Sequence, residues 1–71
     1  DKEKGYVTGD PELNKMVGRT GVAQTDLRPS GFVEVDERRI DAESTGGFIG
    51  RGSTVSIVRV QGVTLFVEAA E

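Results

Sequence analysis

The chain has 71 residues, with nine Lys and Arg against twelve Asp and Glu, and contains no His and no Cys. This length suits one small domain, because a chain of this size buries only about 60% of the surface that its unfolded form exposes. The missing Cys and His exclude a disulfide framework, a Cys/His zinc site and haem ligation. A net charge of −3 and a pI near 4.9 argue against a domain that coats phosphate backbones.

The first sixteen residues differ in composition from the rest of the chain. They carry many charges and few apolar anchors, so we expect residues 1–16 to form a flexible leader or tether. Asp10 and Pro11 suit the start of one short helical turn, with Asp10 as the N-cap and Pro11 at the first helical position. No apolar run approaches the roughly 18 residues of a membrane span. Since the chain begins at Asp1 rather than Met, we expect it to be a fragment or a processed product of a longer protein.

From Val17 onward the chain has the pattern of short strands separated by turn residues. Valine and isoleucine dominate its apolar residues, which favours strands over helices. We expect five strands, at residues 19–25, 32–35, 38–42, 54–60 and 63–69. Residues 17–71 are therefore predicted to form the folded domain.

Turn residues between these strands carry specific signals. Residues 28–31 (RPSG) fit a type I turn, and Asp36-Glu37 fits the loop of a hairpin. The apolar set changes face near Ile57-Val58, which predicts a β-bulge there. Residues 48–49 are an isolated apolar pair between glycines, and we expect both side chains to close one end of the barrel.

Alternation of apolar and polar residues predicts which side chains point inward. Phe66 falls on the outward face of its strand, opposite to its two neighbours. The expected inward residues are Val22, Val33, Val35, Ile40, Ala42, Val55, Ile57, Val58, Val60, Val63, Leu65 and Val67.

Five short strands in so short a chain cannot form two sheets of useful size, and rolling one sheet into a barrel hides its edges. The predicted fold is therefore all-β. It is a small five-stranded β-barrel of the oligonucleotide/oligosaccharide-binding (OB-fold) type, preceded by the flexible leader. An SH3-like barrel is the alternative.

The segment at residues 18–31, GRTGVAQTDLRPSG, resembles the opening motif of NfeD-like C-terminal domains. Later pieces agree in order and spacing: VEV at 33–35, RIDA at 39–42, GFI at 47–49, the strand at 55–60, Gly62 and LFV at 65–67. The resemblance covers residues 18–67, and its most specific part is TDLRPSG.

One position departs from the family's pattern. Glu37 stands where the family commonly has Gly in an Asp-Gly hairpin. A residue other than Gly at positive φ costs about 1 kcal/mol, so we expect a longer turn or another turn type here.

The resemblance implies an OB-fold barrel at the C-terminus of a bacterial or archaeal membrane protein, after transmembrane helices outside this chain. Longer family members add a separate serine protease domain, which these residues do not contain. Genes of the family lie beside those of stomatin- or flotillin-like (SPFH) proteins, so the implied partner is such a membrane protein. The domain would be membrane-associated, and we favour the cytoplasmic side. Homo-oligomerisation through the parent protein stays open.

Catalysis and metal binding have little support in the sequence. Without His or Cys, a general base would have to be a carboxylate or a lysine. Residues 47–54 have the glycine spacing of a phosphate loop, but they lack its lysine and lead into a strand. The carboxylates Asp36, Glu37, Asp41 and Glu43 do not have calcium-loop spacing. We therefore expect no enzyme activity from this fragment, no catalytic or metal site, and no cofactor.

The remaining interpretation is a non-catalytic protein–protein interaction module. Its predicted contact surface consists of Arg28, Phe32, Arg38, Arg39 and Phe66. The alternative is an OB-fold domain that binds single-stranded nucleic acid weakly. That function needs a basic groove with stacking aromatics, whereas acidic residues here alternate with the arginines, which argues against nucleic acid.

Overall fold

A computed structural model describes residues 11–70 of the chain. Residues 1–10 of the expected leader, and with them the N-cap role of Asp10, lie outside the described residues. The elements in chain order are α1 (Pro11–Asn14), β1 (Thr20–Ala23), β2 (Ser30–Val35), β3 (Arg38–Ser44), β4 (Thr54–Gln61) and β5 (Thr64–Ala69). All five expected strands are present, and their ends differ from the predicted ones by a few residues.

The strands close into a barrel in the order β1-β2-β3-β5-β4, and β4 returns to pair with β1. Four of the ladders are antiparallel, and the ladder between β3 and β5 is parallel. This confirms the predicted all-β fold, a closed five-stranded barrel of the OB-fold type.

The barrel core is aliphatic, and within residues 11–70 it contains no aromatic ring. Val33, Val55, Leu65 and Val67 have 0% exposed surface. Since side chains alternate between the faces of a strand, alternate residues in the middle of β2, β3 and β5 reach this core. The inward positions predicted for these strands are confirmed, except for Val63.

The short helix α1 packs with the barrel. Pro11 occupies its first position, as expected, and Leu13 and Met16 are buried in the same core as the strands. The Gly18 N–H donates to the carbonyl oxygen of Ile57 at 2.8 Å, which leads the chain into β1 alongside β4. Residues 13–16, which the sequence placed in the leader, thus contribute to the core.

Three valines expected inside the barrel are exposed instead: Val22 by 41%, Val58 by 38% and Val63 by 59%. In β1 the inward positions are Gly21 and Ala23. A Cβ atom at Gly21 would lie 2.6 Å from the carbonyl oxygen of Glu34, so β2 approaches too closely for any larger residue. Val63 lies in the turn before β5 begins.

The predicted β-bulge is present in β4, where the register with β5 shifts between Ile57 and Arg59. Ile57 is buried and Val60 packs against the core, so the two residues between them are both on the outside. The inward position expected for Val58 is therefore wrong, and the bulge sets Arg59 opposite Phe66.

Residues 28–31 do not form a free-standing type I turn. Ser30 and Gly31 already belong to β2, and the Arg28–Pro29 peptide bond is cis. The chain reverses over residues 24–29, where Leu27 exchanges two backbone hydrogen bonds with Ile49, at 2.8 and 3.1 Å. These two residues close one end of the barrel.

The apolar pair at residues 48–49 divides between the inside and the outside. Ile49 is 6% exposed and belongs to the core, as predicted, whereas Phe48 is 63% exposed. The prediction that both side chains close the barrel end is therefore wrong for Phe48. The pairing of Ile49 with Leu27 decides which of the two residues is buried.

The β2–β3 hairpin turns over two residues, Asp36 at φ 52° and Glu37 at φ 69°. Two positive φ values are the mark of a type I′ turn, whose twist matches that of the flanking strands. The expectation of a longer or different turn is wrong, since Glu37 adopts the conformation in which Gly is favoured. Asp36 forms an ion pair with Arg19, which ties the turn to the start of β1.

Replacing Glu37 with Gly is expected to raise the free energy of unfolding by about 1 kcal/mol, because Gly adopts positive φ without a Cβ clash. In a domain of this size, that change raises the melting temperature by roughly 4–8 °C. Thermal unfolding followed by circular dichroism measures it. Glu37→Gln is the control, since it removes the charge and keeps the strained backbone. An equal rise in both variants would mean that charge, not conformation, limits stability here.

Candidate functional site

All three phenylalanines of the chain lie outside the core, and each has an arginine stacked over its ring. A guanidinium within about 6 Å of a ring centroid is attracted to the ring, by about 0.5–1 kcal/mol at an exposed site. Each pair therefore holds a flat apolar surface beside a positive charge. The distances from Cζ to ring centroid are 4.0 Å for Arg39 and Phe32, 4.1 Å for Arg59 and Phe66, and 5.3 Å for Arg28 and Phe48.

Two of these pairs share one outer face of the sheet. Phe32 of β2 lies opposite Asp41 of β3, and Glu43 of β3 lies opposite Phe66 of β5. Standard strand spacings put the Cα atoms of Phe32 and Phe66 roughly 12 Å apart, with β3 between them. We call this surface the arginine–phenylalanine face; it consists of Phe32, Arg39, Asp41, Glu43, Arg59 and Phe66.

The sheet geometry builds both pairs. Arg39 lies diagonally across the β2–β3 ladder from Phe32, and the bulge places Arg59 directly opposite Phe66. The two rings are half-buried, whereas the two arginines are exposed. Neither guanidinium forms an ion pair with any residue in the range 11–70. The face therefore presents two fixed rings and two positive charges to the outside.

Arg28 lies away from this face, at the end of the barrel. One guanidinium nitrogen is 3.4 Å from Oδ2 of Asp26, and the guanidinium stacks on the exposed Phe48. Oδ1 of Asp26 accepts a 2.9 Å hydrogen bond from the backbone N–H of Arg51, which joins the loop at 24–29 to the turn before β4. Phe48 also lines a shallow groove that reaches Glu68.

Arg38 and Arg39 point to opposite faces of β3, because neighbouring side chains alternate. Arg38 has the parity of the buried Ile40 and stands at the beginning of the strand, where it is exposed. Of the five predicted contact residues, Phe32, Arg39 and Phe66 therefore lie together on one face. Arg28 and Arg38 lie elsewhere.

Arg59 is the member of this face that the sequence analysis did not select. The change of apolar face near Ile57-Val58 was nevertheless a signal for its outward direction. A bulge after Ile57 turns Arg59 outward, and the short turn at Gly62 then brings it opposite Phe66. Without the bulge, Arg59 would keep the parity of the buried Ile57 and point inward, so this part of the site depends on the register of β4.

Two kinds of feature are absent from residues 11–70. This part of the chain has no group of three or more His, Cys, Asp or Glu residues able to hold a metal ion. It also has no helix that is long and apolar enough to cross a membrane.

Comparison with known proteins gives a family and a curated relative. Residues 13–68 match the model of the NfeD-like C-terminal, partner-binding domain. The chain is 37% identical over 65 residues to the membrane protein NfeD1b of Bacillus subtilis (strain 168), an alignment that covers 92% of this chain. The chain spans about 15% of the length of that relative.

Two solved structures share the fold along their whole length. The C-terminal domain of stomatin operon partner protein 1510-C from Pyrococcus horikoshii has a TM-score of 0.78 and 32% identity, covering 92% of this chain and 98% of that one. The soluble domain of a Corynebacterium glutamicum membrane protein implicated in regulation of membrane protease activity has a TM-score of 0.72 and 28% identity, covering 86% and 100%. Together with the match over residues 13–68, these likenesses show that the chain belongs to the family of NfeD-like C-terminal, partner-binding domains.

Proposed function

We propose that this domain is a non-catalytic interaction module that binds a stomatin- or flotillin-like membrane protein through the arginine–phenylalanine face. The observation that carries the proposal is the pair of arginine-capped rings on one face of a partner-binding domain. The class of partner is taken from the Pyrococcus horikoshii relative, which is described as a stomatin operon partner protein.

The face has the composition of a binding surface. Phe and Arg are both enriched at protein interfaces, and Arg is among the residue types that most often carry the binding energy. Phe32 and Phe66 stand on two strands that both pair with β3, and stacked guanidinia hold their rings, so binding a partner costs little side-chain entropy at these two residues. A partner can cover the exposed ring edges while its carboxylates meet Arg39 and Arg59.

The parent protein also enters the proposal. The relatives are membrane proteins, and this domain would be carried at the cytoplasmic side by transmembrane helices outside this chain. Any protease domain of the parent would likewise lie outside it. Arg28 and Arg38 remain predicted contact residues, at positions off the main face.

Phe66→Ser tests the proposed face. We expect the variant to bind a purified stomatin-like protein at least about tenfold more weakly than the wild type does, because it removes a central aromatic anchor. Surface plasmon resonance with that protein in nanodiscs gives the affinity. The domain should keep its fold, since Phe66 is half-buried and outside the core cluster.

Phe48→Ser is the matched control, because it removes a more exposed ring at the end of the barrel. It should bind like the wild type. Equal binding by Phe66→Ser and the wild type would contradict the assignment of this face. If Phe66→Ser loses its cooperative melt, Arg59→Gln carries the same test, since it removes the cap and leaves the ring.

Weak binding of single-stranded nucleic acid is the second candidate, favoured by the Phe32–Arg39 stack on an OB-fold barrel. Against it, Asp41 and Glu43 lie on the same face and repel phosphate. An oligonucleotide titration separates the two functions, because phosphate contacts release counterions and make binding steeply dependent on salt.

A further inference from the structure

The arginine–phenylalanine face carries two negative charges between two positive ones. The guanidinium of Arg39 lies over β2 and that of Arg59 lies over β5, while Asp41 and Glu43 stand on β3 between them. Within residues 11–70, none of these four side chains forms an ion pair. From Arg39 to Arg59 the charge pattern is therefore positive, negative, positive. Glu34, opposite Arg39 on β2 and hydrogen-bonded to Gln24, adds a carboxylate at the edge of the face.

Stacking explains why these neighbouring charges do not pair with each other. The guanidinium carbon of each arginine on this face lies within 4.1 Å of a ring centroid. This contact keeps Arg39 over β2 and Arg59 over β5, and so away from the carboxylates on β3. An exposed ion pair is worth only about 0–1 kcal/mol, no more than the cation–π contact that it would replace. The rings thus hold the positive charges in place, ready for an external partner.

The strand pairing decides what kind of segment fits. β5 is hydrogen-bonded on both edges, to β3 and to β4, so an incoming backbone finds no free ladder beside Phe66, although β3 pairs with β5 only at residues 42–44. A segment that covers the rings over β5 receives no ladder hydrogen bonds there, and a helix suits this position because it satisfies its own backbone groups. The roughly 12 Å between the Cα atoms of Phe32 and Phe66 is close to the rise of two helical turns, about 10.5 Å over seven residues.

We infer that the face binds a partner helix with acidic residues at positions i and i+7 and a basic residue at i+3 or i+4. The two carboxylates would meet Arg39 and Arg59, and the basic side chain would meet Asp41 and Glu43. Apolar side chains of the same helix face would cover the edges of the two rings. This inference rests on the proposed function and adds the chemistry of the partner segment.

Charge reversal tests the inference, with the stomatin-like protein named above as the probe. Arg39→Glu/Arg59→Glu and Asp41→Lys/Glu43→Lys are each expected to lower the affinity by about tenfold or more, since like charges then face each other. The wild-type affinity should also fall as salt is raised. Lys15→Glu/Arg51→Glu is the control; it changes the net charge like the first variant, but at exposed positions off the face, and should bind normally.

The outcomes separate this inference from the proposed function. If both face variants keep the wild-type affinity while Phe66→Ser loses it, the function stands and the charge pattern is irrelevant. If the wild-type chain does not bind the stomatin-like protein, both fall.

A second copy of the chain is the competing occupant, because a face with both signs of charge can complement itself. Concentration-dependent sedimentation that the face variants abolish would assign the face to that copy and overturn the inference. If Arg39→Glu/Arg59→Glu has a lower melting temperature than the wild type, Arg39→Gln/Arg59→Gln is used in its place.

Discussion

Val33→Asp or Leu65→Asp is expected to abolish the folded state. Both side chains have 0% exposed surface in the aliphatic core. A lone buried carboxylate costs several kcal/mol, and a domain of this length has a total stability of about 4–10 kcal/mol. Circular dichroism and one-dimensional NMR at 25 °C should show an unfolded chain with no cooperative melt.

Val58→Asp is the matched control, since it makes the same change in a valine that is 38% exposed. The bulge in β4 turns this side chain outward, so the variant should melt within a few degrees of the wild type. A cooperative melt for Leu65→Asp would contradict the core assignment. An unfolded Val58→Asp would contradict the position of the bulge.

Gly31→Ala is expected to lower the free energy of unfolding by about 3 kcal/mol, the upper end for overpacking. Its Cβ atom would lie 2.3 Å from Oγ1 of Thr25, 2.7 Å from Cδ2 of Leu27 and 2.8 Å from the carbonyl oxygen of Asp26. All three atoms belong to the loop at 24–29, which the Phe32 N–H also binds through Oγ1 of Thr25, at 3.1 Å. The whole loop must therefore move to admit the new methyl group. Because Leu27 of this loop closes one end of the barrel, the movement also disturbs the core.

Equilibrium unfolding in urea measures this loss. Gly46→Ala provides the comparison, because a Cβ atom at Gly46 would meet nothing within 4 Å and its φ is not positive. We expect its midpoint to equal that of the wild type. A Gly31→Ala midpoint that matches the Gly46→Ala midpoint would show that the loop yields at little cost.

Alternation predicted the strands whose inward residues are large. In β2 and β3 every second residue is apolar, so the side that packs inward could be identified from the sequence. In β1 the same argument selected Val22 and failed. Its inward residues are Gly21 and Ala23, and at Gly21 β2 comes too close for a side chain; a single sequence does not show how close two strands come.

The candidate site was predictable where it depends on strand parity. Phe66 is flanked by two buried neighbours, so its outward direction follows from the strand alone. Phe48 could not be predicted in this way, because it is adjacent to Ile49 in a segment with no periodicity, and tertiary pairing with Leu27 decides between the two. The stacking partner Arg59 required the exact register of the bulge.

The central claim is that a stomatin- or flotillin-like protein docks on the arginine–phenylalanine face. Site-specific photo-crosslinking tests this claim most directly. The experiment uses native membranes that contain the full-length protein to which we propose this domain belongs. The crosslinker would replace Ser30, which is exposed and pairs with Glu43 of the face, or Lys15 beside α1 as the comparison. Mass spectrometry should identify the stomatin- or flotillin-like protein from position 30 and not from position 15. Crosslinks to nucleic acid from position 30, or to that protein from position 15 alone, would contradict the account.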